Sequence, residues 1–135
     1  MVVSGRRLPL SRALVRRVVE AVLRAERRDA LISVTFVGRD TMRRLNSDHK
    51  QHDYPTDVLT FALADPSGRI AGDVYICPWV ARREARARSI PLREELIRLI
   101  VHGTLHALGR DHPEGEARTR SDMWRRQERY VETLA

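Results

Sequence analysis

His102-Gly103-Thr104-Leu105-His106-Ala107-Leu108-Gly109-Arg110-Asp111-His112 holds three of the chain's five histidines. The first two are four residues apart, so a helix stacks them on one face, one turn above the other. Gly109 can end that helix in a left-handed conformation, after which the chain can turn back and bring His112 to the same point. A single histidine beside an apolar segment is commonly a satisfied core or surface residue. Three at this spacing around a glycine point to a metal instead. Three neutral imidazoles with a fourth position open describe a catalytic-type Zn²⁺ site, since structural zinc sites are usually closed by four protein ligands. We therefore expect one Zn²⁺ per chain on His102, His106 and His112.

The pattern H-x3-H-x2-G-x2-H has the spacing of the metzincin zinc proteases, with one difference. Gly103 follows the first histidine, where zinc proteases carry the glutamate that serves as general base. That absence argues against peptide hydrolysis. A zinc ion can still lower the pKa of a bound water toward ~7, or act as a Lewis acid on a phosphoryl oxygen. Phosphodiester cleavage spreads negative charge over the equatorial oxygens, so its catalysis is largely positioning plus positive charge. A cation beside the metal is what such a site needs.

Working outward, periodicity predicts a mixed chain. Ser11 can cap a helix to about Arg28, with an apolar face of Leu14, Val15, Val18, Val19, Val22 and Leu23. Leu31–Val37 alternates and reads as a strand, and Asp40 then caps a short helix ending near Asn46. Residues 47–55 read as a loop. Val58–Leu63 and Ile70–Cys77 flank the turn Asp65-Pro66-Ser67-Gly68 and form a hairpin. Pro78 starts a helix to about Ser89, and Pro91 sits at the first turn of the long helix that carries the histidines. Leu92, Leu96, Leu99, Ile100 and Leu105 are its expected buried face. Residues 114–134 form a last amphipathic helix, with Met123, Trp124, Tyr130, Val131 and Leu134 inward. The expected architecture is α+β: one domain over residues 1–135, a small mixed β-sheet packed with about five helices, and a metzincin-like metal-binding helix and turn. A further strand at the N-terminus could come only from Val2-Val3.

The chain has 135 residues, enough to bury a core of its own. Its 25 basic and 18 acidic residues give a net charge of +7, which favours a polyanionic partner. All the basic residues but Lys50 are arginine. Such a bias more often follows genome base composition than function, so the arginines are not each read as contacts. Cys77, the single cysteine, excludes an intrachain disulfide and fits a reducing compartment; at a strand end it reads as a small core residue. No apolar run approaches the ~20 residues of a membrane span, and no signal-peptide core stands at the N-terminus. We expect a cytoplasmic location.

The histidine run resembles the His-Gly-x-Leu-His-x-x-Gly-x-Asp-His signature of the YbeY family, bacterial metal-dependent endoribonucleases of ribosomal RNA maturation. Leu45-Asn46, Asp53, Pro55 and Thr56-Asp57-Val58-Leu59-Thr60-Phe61 are similar to a second family segment, and Gly72-Asp73-Val74-Tyr75-Ile76 to a third. The resemblance spans about residues 30–134. It implies a single-strand-specific endoribonuclease of 16S rRNA 3′-end maturation and ribosome quality control, hydrolysing RNA with a zinc-activated water. It also implies ribosomal RNA, the small ribosomal subunit and a ribosome-assembly GTPase as partners, and neither DNA nor membrane. The alternative is a ribosome-associated assembly factor that binds RNA around a structural metal. A small-molecule or peptide metallohydrolase is disfavoured by the basic charge and the missing glutamate.

By the same resemblance, Lys50 stands where the family has an arginine after Leu-Asn, and it is the candidate catalytic cation. Lysine supplies the charge as a point donor, whereas arginine offers a planar fork for two phosphate oxygens. The plain alternative is a solvated loop lysine. Ala107, Arg110 and Thr60 replace a usual Leu, an often aromatic residue and a usual Ser. Asp111 either orients a ligating imidazole or caps the turn. Asp57 and Asp73 are candidate general bases or structural strand-end residues. His49 and His52 are candidate phosphate or base contacts.

Overall fold

The computed structural model describes residues 1–135. Four strands form one sheet in the order β1-β2-β4-β3, where β1 is Val2–Ser4, β2 Ala30–Phe36, β3 Val58–Ala64 and β4 Ile70–Ile76. β1, β2 and β4 run parallel, and β3 returns antiparallel to β4 along one edge. Five α-helices accompany it: α1 Arg12–Glu26, α2 Arg39–Lys50, α3 Pro78–Ala87, α4 Leu92–Ala107 and α5 Asp122–Leu134. The expected α+β class therefore holds, and Val2-Val3 does supply a strand, pairing with Ser33 and Val34.

The alternation of β2 and β4 turns Ile32, Val34 and Phe36, with Ile70, Val74 and Ile76, into the core. All of these except Ile70 meet the predicted stripe of α1 and the apolar face of α4 in one cluster. A smaller cluster of Met42, Leu59 and Cys77 packs α2 on the sheet, with Phe61 and Tyr75 against it. α4 lies so close to β4 that two glycines are obligatory. A Cβ on Gly103 would fall 2.4 Å from Val74 Cγ1, and one on Gly72 would fall 2.8 Å from the Ala107 Cβ. Gly103 and Ala107 are one helical turn apart, so together they form a flat strip that seats the helix on the strand. The glutamate position of a zinc protease is thus pressed against the sheet and has no room for any side chain.

Three boundaries differ from expectation. α2 starts from Gly38 rather than Asp40 and continues through residues read as loop to Lys50, ending with Gln51 at φ 60°. Basic residues in a last turn favour that extension, because they face the negative end of the helix dipole; His49 and Lys50 occupy it. The last predicted helix is broken: a 3₁₀ segment, Gly115–Arg120, precedes α5. Ser121 makes the break by capping α5, its Oγ accepting from the Trp124 N–H at 3.2 Å.

Gly103→Ala should destabilise the protein by about 1–3 kcal/mol through overpacking. If the clash with Val74 is the cause, Gly103→Ala/Val74→Ala should lose less than the sum of the two single changes, as read from urea midpoints in a double-mutant cycle. Strict additivity would place the strain elsewhere.

Candidate metal centre

With Gly103 and Ala107 seated on β4, the residues just before them, His102 and His106, are rotated about 100° away. They face the open edge along β3. α4 then stops at a Schellman turn: the Arg110 N–H donates to the Leu105 carbonyl at 3.0 Å and the Gly109 N–H to the His106 carbonyl at 2.9 Å. Gly109 has φ 92° and nothing crowds its Cβ position, so it is required for conformation rather than space.

The turn is tied down from outside. Arg110 Nε donates to Glu26 Oε1 at the end of α1, and the same carboxylate accepts from Arg126 Nη1 at 3.0 Å and from the Tyr130 hydroxyl. Burial pushes the Glu26 carboxyl up, but the hydrogen bonds from Tyr130 and Arg110 outweigh it and leave the pKa below the usual value. The departure at Arg110 is therefore structural: its ion pair fixes the loop that returns His112.

The three imidazoles meet. Their ring centroids are 4.6, 5.1 and 4.9 Å apart, and one nitrogen of each lies within 4.8 Å of the others. His102 Nδ1 lies 2.6 Å from Gln127 Oε1. An amide oxygen only accepts, so Nδ1 carries the proton and Nε2 is left as the ligand atom. His112 Nδ1 likewise donates to the Pro113 carbonyl at 3.0 Å. Burial, then the neighbouring His106 and His112, lower the His102 pKa to about 4, opposed by the Gln127 hydrogen bond. His106 is lowered too, by burial first and then by His112. A set of neutral, preoriented imidazoles is what a divalent metal requires, and these residues fit one.

Gln127 was missed in the sequence. It is 1% exposed on α5 and is itself held, donating from Nε2 to Glu128 Oε2 at 3.0 Å. Glu128 accepts two hydrogen bonds from Arg98, each 2.9 Å. Arg98 also donates to Glu95 and Glu94 at 3.2 Å, and Arg88 closes the far side of Glu95. A charged chain thus runs from α3 through α4 and α5 to one ring nitrogen. Asp111, by contrast, accepts from the His112 backbone N–H at 2.8 Å, which is its turn-capping role.

The histidines open into a cleft of about 560 Å³. Lys50 lies on its wall at the end of α2, with His52, Asp57, Thr60 and Arg118. Asn46 steadies that wall, donating from Nδ2 to the Tyr54 carbonyl at 2.8 Å. His49 does not join it: its ring packs edge-on against Phe61 at 4.9 Å. Asp73 is exposed on β4 and is not part of the cleft wall. Burial, then the charge of Glu95, raises the Asp57 pKa. A smaller polar cavity of about 260 Å³ lies behind His102 and shares Asp57 and Arg118 with the cleft. Arg118, on the 3₁₀ segment, is a second cation of the cleft wall, its guanidinium 5.1 Å from the Trp124 ring centroid. The sequence offered no signal for it beyond one arginine among many.

The YbeY family model, described as endoribonuclease YbeY, matches residues 7–135. The chain belongs to the YbeY family. A Thermotoga petrophila relative named endoribonuclease YbeY is 36% identical over 120 residues, covering 89% of this chain and 78% of the relative. One of the same name from Aromatoleum aromaticum is 47% identical over 100 residues, 74% of this chain and 62% of the relative. The solution structure of a Thermotoga maritima protein superposes with a TM-score of 0.68 at 28% identity, covering 98% of this chain and 87% of that one. The chain is thus a member of an endoribonuclease family. Its histidine cluster is suited to a metal, and no helix is long and apolar enough to cross a membrane.

Gln127→Leu should weaken metal binding by about 10–100-fold, as loss of an orienting partner does, measured by competition with a chelator. In the metal-free protein, nitrogen-detected NMR should find the His102 ring neutral and Nδ1-protonated at pH 5.5. The sign for stability follows. The unfolded histidine takes up its proton near 6.5 and the folded one near 4. His102 therefore contributes stability at neutral pH that is lost as pH falls from about 6.5 to 4.

Proposed function

We propose that this protein is a zinc-dependent, single-strand-specific endoribonuclease that acts in the cytoplasm on ribosomal RNA, at the 3′ end of 16S rRNA. The observation that carries this reading is one cleft that combines three converging imidazoles with two cations, Lys50 and Arg118, and no glutamate beside the first histidine. Membership of an endoribonuclease family supports it, as does the net charge of +7. The small ribosomal subunit and a ribosome-assembly GTPase are the proposed partners, by the family resemblance.

His102, His106 and His112 would hold the metal. A Zn²⁺ bound there would supply Lewis acidity and a water of lowered pKa. The chain's own residues do the rest. Lys50 and Arg118 hold the phosphate across the cleft, Arg118 by two oxygens and Lys50 as a point charge. Their charge opposes the negative charge that grows on the phosphoryl oxygens, which is where electrostatic catalysis acts. Asp57, with its raised pKa, is placed to exchange a proton in the same cleft; Asp73 is not. The charged chain behind Gln127 keeps His102 in one tautomer throughout.

The test is cleavage of a single-stranded RNA by purified variants. Lys50→Ala should lower the rate by ~10²–10³, the usual cost of losing one transition-state contact, with under ~0.5 kcal/mol of stability lost. Lys50→Arg should keep or raise it. Asp57→Asn should cost ~10²–10⁴ if Asp57 carries a proton, with metal content unchanged. Wild-type rates in Lys50→Ala would remove Lys50 from the chemistry. A wild type that binds RNA without cutting it would favour the assembly-factor reading.

A further inference from the structure

The parallel strands end in a second concavity of about 480 Å³ that shares no residue with the metal cleft. Its wall includes Arg6 and Arg7 after β1, and Trp79 and Arg82 on α3, and it contains no acidic residue. Trp79 is 38% exposed, and the guanidinium groups of Arg83 and Arg39 lie 4.9 and 5.3 Å from its ring centroid. Arg39 is paired with Asp40 at 3.2 Å. Arg6, Arg7, Arg82 and Arg83 make no ion pair, whereas Arg98, Arg110 and Arg126 are each committed to carboxylates within the fold. Arg83 stacks on the indole, and the charge of Arg6, Arg7 and Arg82 serves no ion pair within the fold. Uncompensated like charges around an exposed indole are the composition of a single-stranded nucleic-acid platform, where cations follow the phosphates and an aromatic ring takes a base.

α2 connects this groove to the metal cleft. Its N-cap Gly38 lines the groove, and Asn46 and Lys50 at its other end line the cleft. At 1.5 Å per residue the helix spans roughly 17 Å, a few nucleotides of extended chain. We propose that the groove is a second RNA-contact site on the strand whose reacting phosphate lies in the cleft, with phosphates on Arg6, Arg7 and Arg82 and a base stacked on Trp79 in place of one of its two guanidinium neighbours. The proposal rests on the reading of the protein as acting on RNA, and adds that it holds substrate at two places along α2. Short RNA reaches only the cleft; longer RNA gains affinity from both.

The test is binding of non-cleavable 2′-O-methyl oligoribonucleotides of about 4 and about 16 nucleotides, the range of site sizes known for single-strand platforms, followed by fluorescence anisotropy. For the long oligonucleotide, Trp79→Ala should weaken binding about tenfold. Arg7→Glu/Arg82→Glu should weaken it more and lower the slope of log K against log salt by about two. Trp79→Phe should retain most of the affinity, since the ring is kept. Binding of the short oligonucleotide should change less than twofold in every variant, which also reports intact folding. If the wild type binds the long oligonucleotide tightly and the variants match it, this inference fails and the RNA reading stands. If the wild type binds neither, the RNA reading fails and this proposal with it. Loss of polyglutamate binding in the charge-reversed variant with RNA binding intact would assign the groove to an acidic protein and overturn the proposal.

Discussion

The bare backbone of Gly103 against Val74 fixes where α4 lies on the sheet, and the metal centre follows from that position. A helix can approach a strand this closely only where side chains are absent or small. Gly103 and Ala107 give α4 such a strip, and Gly72 gives β4 its counterpart. Helical geometry then leaves His102 and His106 no choice of direction: they face the edge beside β3. The same contact explains why no glutamate follows His102, because its side chain would have to occupy the place of Val74. One contact thus sets the direction of both helical histidines.

Holding the third histidine takes a different kind of interaction. His112 lies beyond the helix, on a turn that the buried Glu26 carboxylate anchors through Arg110. Buried ion pairs contribute little net stability when compared with apolar packing, yet removing one partner is costly. Their use here is positional. The chain from Arg88 through Glu95, Arg98, Glu128 and Gln127 ends on one nitrogen of His102 and selects its tautomer. A site that must present three lone pairs to one point depends on such outer contacts.

The histidine triad was legible because its spacing is a local, helical code. So were α1, the β3–β4 hairpin and the break at Gly109. What escaped was tertiary. Gln127 reads in sequence as one more polar residue of an amphipathic helix, and only the packing of α5 on α4 brings it to His102. Arg118 was indistinguishable from the other arginines until the 3₁₀ segment placed it over the cleft. Lys50 was expected on a loop and lies at the last turn of α2. Helix ends are poorly specified by sequence, and a left-handed Gln51 gives less warning than a glycine would. Arg110 looked like a tolerable departure, and its ion pair with Glu26 could be seen only once α1 and the turn were adjacent.

The central claim is that His102, His106 and His112 hold a metal as one unit. It is tested most directly by elemental analysis of wild type and His106→Ala, each purified without chelator and then equilibrated with zinc. The account predicts about one zinc per wild-type chain and less than about a tenth of that in the variant, since two imidazoles do not complete a three-ligand site. Equal metal content in the two proteins, or none in either, would contradict it.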